Sequence, residues 1–548
     1  MFIPKFDQPS VMKHSFSTIP HADIPRSSFK RSHGYKTTFN EGYLIPIYVD
    51  EALPGDTFHL NLSSVSRLTT PLLPFMDNLH MDFHFFAVPN RLLWTNWQRF
   101  MGERDPDPDS SIDYVVPQVE TAAGGFTELS LSDYFGLPIG IHPLSVNALH
   151  HRAYNLIWNE WFRDQNLQDS VVVDKDDGPD DITDYVLLKR GKRHDYFTSC
   201  LPWPQKGDAI DLPLGDTAPV ITGDDRTFVA AETNFRMWDP TDGTFSAATG
   251  ELAVRGGTGD VSIDTTDQPG NNEYAVPANL WADLTNATAA TINSLREAFQ
   301  LQRLLERDAR GGTRYTEIIQ SHFRVTSPDS RLQRPEYLGG GSKRVTVEPV
   351  PTLSTGWGGE NVGELGGVGY CNQSGVGFTK SFVEHCVLIG LVSVRADLTY
   401  QRGINRMFSR STKYDYYWPA LAHLGEQAVY NREIYAEPDD QDTGATGTYD
   451  NDRVFGYQER WADYRYYPSL ITGALRSDAA ASLDVWHLSQ DFGVTAPALN
   501  SDFIEENPPV DRVVVDTEDP HFVFDGFFDV TTTRPMPLYS VPGLIDHF

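Results

Sequence analysis

The chain has 548 residues and sets 44 Lys and Arg against 75 Asp and Glu, a formal charge of −31, which excludes a uniformly basic nucleic-acid coat and general attraction to an anionic membrane. At 40% hydrophobic and 12% aromatic it is a globular chain, too long for one ordinary hydrophobic core, so several domains or one domain with large insertions are expected. Its 36 prolines and 43 glycines favour turns, long loops and a β-rich architecture.

Residues 1–42 read as a polar, irregular N-terminal arm. Between Asp23 and Glu41 it holds Arg26, Lys30, Arg31 and Lys36 and no acid, a local reversal of sign, with Phe29 and Tyr35 interleaved. Those side chains suit phosphate contact and base stacking on a single-stranded nucleic acid, and suit equally an arm that pairs with acids on a neighbouring subunit. Strand-like runs follow at 43–49 and 56–62, split by the turn LPGD. The stretch MDFHFFAVPNRLLWTNWQRFMGE (81–103) predicts a strand near 81–88, a stop at Pro89-Asn90 and a short helix from Arg91. Asn90, Arg91, Trp94 and Trp97 stand out there as a junction rich in rings and without an evident catalyst.

Residues 103–140 read as loop. A helix is predicted over 145–164, with Val146, Leu149, Ala153, Leu156/Ile157 and Trp161 at helical spacing and Ser145 as its cap. Residues 205–285 change character: 14 acids, 4 bases and many Gly, Thr, Asp and Pro mark a surface insertion of short strands and loops. A second helix is predicted over 288–310, ended by Gly311-Gly312. Residues 381–400 and 521–535 read as strands, with Tyr-rich loops between them. Strands so far apart in sequence favour a Greek-key or jelly-roll sandwich over a meander.

Chemistry is hard to place. His80, Asp82 and His84 share a face of one strand, as metal ligands or as partners in sheet hydrogen bonds. DKDDGPDD (174–181) fails the EF-hand spacing and reads as a solvated acidic loop, with loose Ca²⁺ binding left open. GKR (191–193) lacks the upstream glycine of a phosphate loop, and LGGGSK (338–343) and GELGGVG (363–369) read as glycines that let the chain turn at positive φ. No G-x-S-x-G occurs, and among 75 acids any carboxylate pair is arbitrary. The reading is therefore no enzyme, no cofactor and no metal. Arg402, Arg406, Arg410 and Lys413, spaced by four, four and three, make a basic helical stripe or loop that suits an anion or an acidic neighbour. Cys200, Cys371 and Cys386 never fall as CxxC, against a disulfide framework or cysteine zinc site. Without a signal-peptide pattern or an apolar run of ~18–20 residues, the expectation is a soluble protein made in a reducing cytoplasm, with no membrane insertion.

At residues 81–103 the chain resembles the major capsid proteins of microviruses, specifically the gokushovirus branch of small single-stranded DNA phages. Matches continue in order at 24–58, at LSVNALHHRAYNLIWNEWFRDQNLQ (144–168) and at 299–342. The resemblance implies an eight-stranded antiparallel jelly-roll sandwich with long loop insertions and a few helices. Its parts would be the arm 1–42, a first part 43–204, the insertion 205–285 as a threefold protrusion, and the remainder 286–548. It implies about sixty copies in a T=1 icosahedral shell around the DNA genome. The implied partners are a small basic DNA-binding phage protein, a pilot protein, an internal scaffolding protein during assembly and a bacterial surface receptor met by the insertion. The implied location is the virion, with assembly in the bacterial host cytoplasm. On this reading Asn90, Arg91, Trp94 and Trp97 are an assembly junction, because Trp and Arg dominate interface energetics. Arg26, Lys30, Arg31, Lys36, Arg402, Arg406 and Arg410 would face nucleic acid or a neighbouring subunit. The alternative is a carbohydrate-binding or carbohydrate-active β-sandwich, which Trp, Tyr and Asp richness also suits.

Overall fold

The computed structural model describes residues 25–103, 114–208, 210, short strands between 220 and 282, 292–351, 363, 365–438, 449–493 and 496–539. The chain opens with β1 (Ser27–Lys30) and β2 (His33–Phe39), followed by β3 (Ile45–Ala52), β4 (Thr57–Leu68) and β5 (Leu79–Pro89). After a long excursion come β6 (Glu336–Arg344), β7 (Thr346–Pro351), β8 (Leu365–Ser381) and β9 (Cys386–Ala396). A second excursion carries the hairpin β10 (Glu426–Tyr430) and β11 (Val454–Glu459), and β12 (Phe522–Arg534) closes the set.

Two antiparallel sheets result. One runs β1-β12-β4-β8-β7, with β2 also paired to β12; the other runs β6-β5-β9-β3. In chain order, the eight long strands β2, β3, β4, β5, β6, β8, β9 and β12 read first–eighth–third–sixth in one sheet and second–seventh–fourth–fifth in the other. That is the wrapped Greek-key order of a jelly roll.

Strand β4 shows why the sheets stack. Its sequence TFHLNLSSVSRL alternates open and buried along its length, because successive side chains point to opposite faces. The buried set, with Phe58, Leu60 and Leu62, meets Phe522, Phe524 and Phe528 of β12 and, across the sandwich, Met81, Phe83 and Phe85 of β5. The Phe83 and Phe524 rings lie 6.3 Å apart, and those of Phe85 and Phe378 5.7 Å.

Strand β9 does not alternate. Every residue of CVLIGLVSVRA is buried, because the second sheet is covered on both sides. On its outer side Phe86, Val88, Val387, Ile389 and Leu391 pack under Trp94, Leu149, Ala153, Tyr154 and Ile157. Those residues come from the turn α1 (Asn90–Leu93), its neighbour Trp94, and helix α2 (Leu149–Ile157). A third cluster, including Tyr196, Phe197, Tyr400, Tyr435 and Phe503, forms around the β10–β11 hairpin. Among the described residues nothing comparable covers the outer face of the first sheet, where Val65, Val523 and Phe527 lie exposed.

The structure corrects several sequence readings. Part of the arm is not irregular: β1 and β2 pair with β12 along Ser27–Lys30 and His33–Phe39. Helix 145–164 is shorter, because Ser145–Asn147 pairs as a strand with Gln118–Glu120. Asn147 Oδ1, and not Ser145, receives the Leu149 amide at 2.9 Å, and the helix widens into a π turn over Trp158–Phe162. The loop reading of 103–140 misses that Gln118–Glu120 strand and a turn of helix at Leu131–Tyr134. The second helix, α3, runs Ile292–Arg310, and α4 follows at Tyr315–Phe323.

The run Gly339-Gly340-Gly341 does not turn. It lies inside β6 at negative φ, where a Cβ on Gly340 would stand 2.1 Å from the Phe83 carbonyl oxygen. Close strand approach, not left-handed backbone, is what needs glycine there. Among the described residues of 363–369, only Gly363 has positive φ.

The described chain divides into two compact units, residues 1–204 with 308–548, and Gln205–Arg307. Within the second, short strands pair as Val220–Thr222 with Leu280–Ala282, and Arg236–Asp239 with both Thr244–Ala247 and Val276–Pro277. Among the described residues no helix is long and apolar enough to cross a membrane.

Candidate functional site

The basic arm arrives with its charges largely answered. Arg26 donates to the Gly55 carbonyl at 2.5 Å and to Thr57 Oγ1 at 3.0 Å. Arg31 forms a two-pronged pair with Asp50 at 2.7 and 2.9 Å. Lys36 lies 3.0 Å from Asp525, and Lys30 3.9 Å from Asp529, with both lysine side chains 75% exposed. Exposed pairs of this kind contribute little, so these lysines remain exchangeable cations on the uncovered sheet face. Arg31, fixed by a bidentate fork, does not.

The 402–413 set is a loop with a 3₁₀ turn at Arg406–Ser409 and another beginning at Lys413, not a helical stripe. Arg402 lies over the Tyr435 ring and donates to its hydroxyl at 2.7 Å. Arg406 donates to the Ala428 carbonyl and to Glu433 at 2.8 and 3.1 Å. Arg410 pairs with Asp463 and lies 4.1 Å from the centre of the Tyr464 ring. Lys413 lies over the Tyr414 ring. Arg402 and Arg406 thus tie this loop to Tyr435 of the third cluster and to β10.

At the junction the four residues separate. Trp94 is fully buried, and its Nε1 donates to Asp177 Oδ1 at 2.7 Å. Its ring meets Trp97, Phe100 and Tyr114. Asn90 is buried and begins the turn: its amide donates to the His385 carbonyl, and its carbonyl accepts from the Trp94 amide. Arg91 reaches out to Glu384 at 2.8 Å and to the Leu332 carbonyl at 2.5 Å. Trp97 is only part-buried, edge-on to His385.

His80, Asp82 and His84 do lie on one face of β5, but Asp82 is held by two guanidinium groups, Arg190 at 2.7 Å and Arg395 at 2.8 Å. Burial opposes ionisation of Asp82, yet the Ser342 hydroxyl and those two arginines hold its carboxyl below the ordinary value. Burial, reinforced by Arg190, pushes His84 down to about 4, and His80 faces Asp397 at 3.5 Å. Within the trio, Asp82 is the anchor of a two-arginine ion pair, and burial disfavours charge on His84.

The acidic run 174–181 is likewise structural and not simply solvated. Asp180 and Arg152 both have side chains 0% exposed, and Arg152 Nε donates to Asp180 at 2.7 Å. The Tyr185 hydroxyl donates to the same carboxylate. Asp177 receives Trp94 and Asn96. Two features escaped the sequence reading: this buried pair, and a field of exposed rings around the 402–476 segment, with Phe408, Tyr414, Tyr416, Trp418, Tyr466 and Tyr467 all open.

One histidine ties the sandwich to its loops. His521, next to β12, shares a hydrogen bond with Glu41 at 2.7 Å, and its Nε2 lies 3.1 Å from Asp511, off line for a hydrogen bond. The bond to Glu41 raises its pKa above 6.5, against the opposing effect of burial. A raised histidine stabilises fully below its ordinary value and loses that contribution as pH rises through the folded value. Thermal melting from about pH 5 to about pH 9 is expected to show an alkaline-side loss that His521→Gln lacks. Parallel curves for the two proteins would remove the assignment.

Comparison with known proteins places these features in a lineage. The family model described as capsid protein (F protein) matches residues 17–544. The capsid protein VP1 of Bdellovibrio phage phiMH2K is 46% identical over 545 residues, covering 98% of each chain. That of Chlamydia phage 1 is 44% identical over 589 residues, again covering 98% of each. That of Spiroplasma virus 4 is 37% identical over 552 residues, covering 97% of each.

Proposed function

The chain belongs to the capsid protein (F protein) family of the microviruses, and from that membership we propose how it works as the major structural protein of a small DNA phage. Identity spread over nearly the whole length of the relatives carries this reading, and it sets aside the carbohydrate-active alternative. The protein assembles with copies of itself into a T=1 shell of about sixty, using side chains for contact and not for making or breaking bonds.

Support comes from how the sandwich is finished. One sheet is covered by the chain's own α1–α2 layer, whereas among the described residues the β1-β12-β4-β8 face stays open, mixing Lys30 and Lys36 with exposed Val65, Val523 and Phe527. We assign that open face to the lining of the shell, toward the single-stranded DNA and a small basic DNA-binding phage protein. An acidic coat of net −31 needs such a cationic intermediary. Pilot and scaffolding proteins would act at the same side. The insertion 205–285 is assigned to the outside, to meet the bacterial receptor.

Co-expression of the phage's structural genes, followed by sedimentation and electron microscopy, tests this. Closed particles of several megadaltons are expected. A variant with 205–285 replaced by a short linker should keep the sandwich and lose attachment to host cells. A chain that stays monomeric or dimeric under those conditions overturns the shell.

A further inference from the structure

Beside the β10–β11 hairpin lies a recess of 290 Å³ whose lining includes Arg406, Arg410, Arg432 and Arg460 together with Asp415, Glu433 and Asp463. The three acids are already answered. Glu433 accepts from Arg406, from the Tyr430 amide and from the Tyr196 hydroxyl, each at 3.1 Å. Asp463 takes Arg410 on one oxygen and Gln427 on the other. Asp415 caps its own turn, receiving the Ser411 and Thr412 amides at 3.0 and 2.7 Å.

The donors are not all answered. Arg460 lies over the Trp461 ring, 4.6 Å from its centre. Among the described residues its guanidinium makes no hydrogen bond and no ion pair; Asp415 feels its charge without pairing. Trp461 presents that ring from left-handed backbone, φ 71°, a conformation that costs a bulky residue strain. The ring orients the guanidinium and leaves its charge in place. Arg432 gives Nη1 to Asp452 at 2.6 Å, yet its Nε is buried without an acceptor, as is the Nε of Arg460. Ser409 and Ser411 stand exposed on the same lining, and their hydroxyls donate to no described group. What the recess lacks is an acceptor.

Buried charged donors without acceptors are costly. A cation would add to the surplus, and an apolar guest would leave the donors as they are. An anion that only accepts, through several oxygens, answers a guanidinium fork and nearby hydroxyls together. We propose that this recess binds a phosphate-type oxyanion, with Arg460 as its principal ligand. Arg406 and Arg410, which stand out in the sequence, form its walls and are engaged by acids; the binding cation is one that sequence spacing does not single out. The site belongs to a single chain and does not depend on the shell reading. Its phosphate comes from the DNA backbone or from solution, and the recognition chemistry is the same.

Full-length subunits are titrated calorimetrically with inorganic phosphate, in chloride at constant ionic strength. Saturable binding is expected. Arg460→Gln, which breaks no ion pair, should weaken it at least tenfold. Arg465→Gln, at an exposed arginine outside that lining, should leave it unchanged. Thermal melting checks the fold of each variant. Should Arg460→Gln fail to fold, Arg460→Lys keeps the charge, loses the fork and is expected to weaken binding too. Competition with a short oligothymidylate identifies the source. Displacement of phosphate assigns the recess to the DNA backbone, and phosphate binding that the oligonucleotide leaves intact assigns it to the free ion. No saturable binding by the parent chain, or equal binding by the folded Arg460 variants, overturns the proposal.

Discussion

Replacing Asp180 by alanine is expected to lower the unfolding free energy of the subunit by about 3–5 kcal/mol, because it strands a buried guanidinium. Arg152 sits on α2 with its side chain wholly out of water. Its Nη1 donates to the carbonyls of Leu93 and Asp176 at 3.1 and 3.0 Å. Those neutral acceptors orient the group; of its two carboxylate partners, exposed Asp176 stands at 3.5 Å from Nη2, and the buried Asp180 is the close one that balances its charge. Removing the carboxylate also leaves the Tyr185 hydroxyl without its acceptor. The double replacement Arg152→Met with Asp180→Leu should recover most of the loss, since an apolar pair of similar volume is often as stable as a buried ion pair. Urea unfolding of dissociated subunits measures both. A loss under about 1 kcal/mol for Asp180→Ala, the range of an exposed pair, would contradict the burial described for this site.

The Trp94→Ala substitution ranks with it, at an expected cost of about 3–5 kcal/mol. The indole fills the layer over the second sheet among Trp97, Phe100 and Tyr114. Its Nε1 also steadies Asp177, which keeps Asn96 when the tryptophan is lost. Trp97 is part-buried at the rim of the same layer, so Trp97→Ala should cost the subunit about 1–2 kcal/mol, within the ordinary range for single changes. Thermal unfolding of free subunits, set beside dissociation of particles, separates two roles for the junction. Trp94→Ala should lower both. If subunits carrying it melt like the parent while particles fail to form, Trp94 belongs to a boundary between copies and not to the core.

The sequence reveals the sandwich through local period. The apolar positions of β4 and β12 recur every second residue, and the unbroken apolar run of β9 marks a strand covered on both faces. It hides β2 because HGYKTTF carries few apolar residues, and its pairing comes from β12, nearly 500 positions away; the Lys36–Asp525 pair spans 489. For the same reason the bases of the arm look free when read along the chain, whereas their carboxylates arrive only on folding. Glycine runs suggest turns because local backbone freedom is what a sequence displays. The Phe83 carbonyl that crowds Gly340 is supplied by another strand. Arg152 left one trace: it falls three residues after Leu149 and next to Ala153, on the apolar side of its helix, where an arginine requires a buried partner.

The one-sided cover of the sandwich has a consequence for how the protein can change. A sandwich skinned on one side and, among the described residues, bare on the other gives each subunit a front and a back before it meets any neighbour. Orientation in the shell is then inherited from folding and need not be selected during assembly. Substitutions on the bare surface leave the hydrophobic frame alone. Substitutions in the skin reach the frame directly, through the outer side of β9, so the two surfaces of one domain are free to evolve at different speeds.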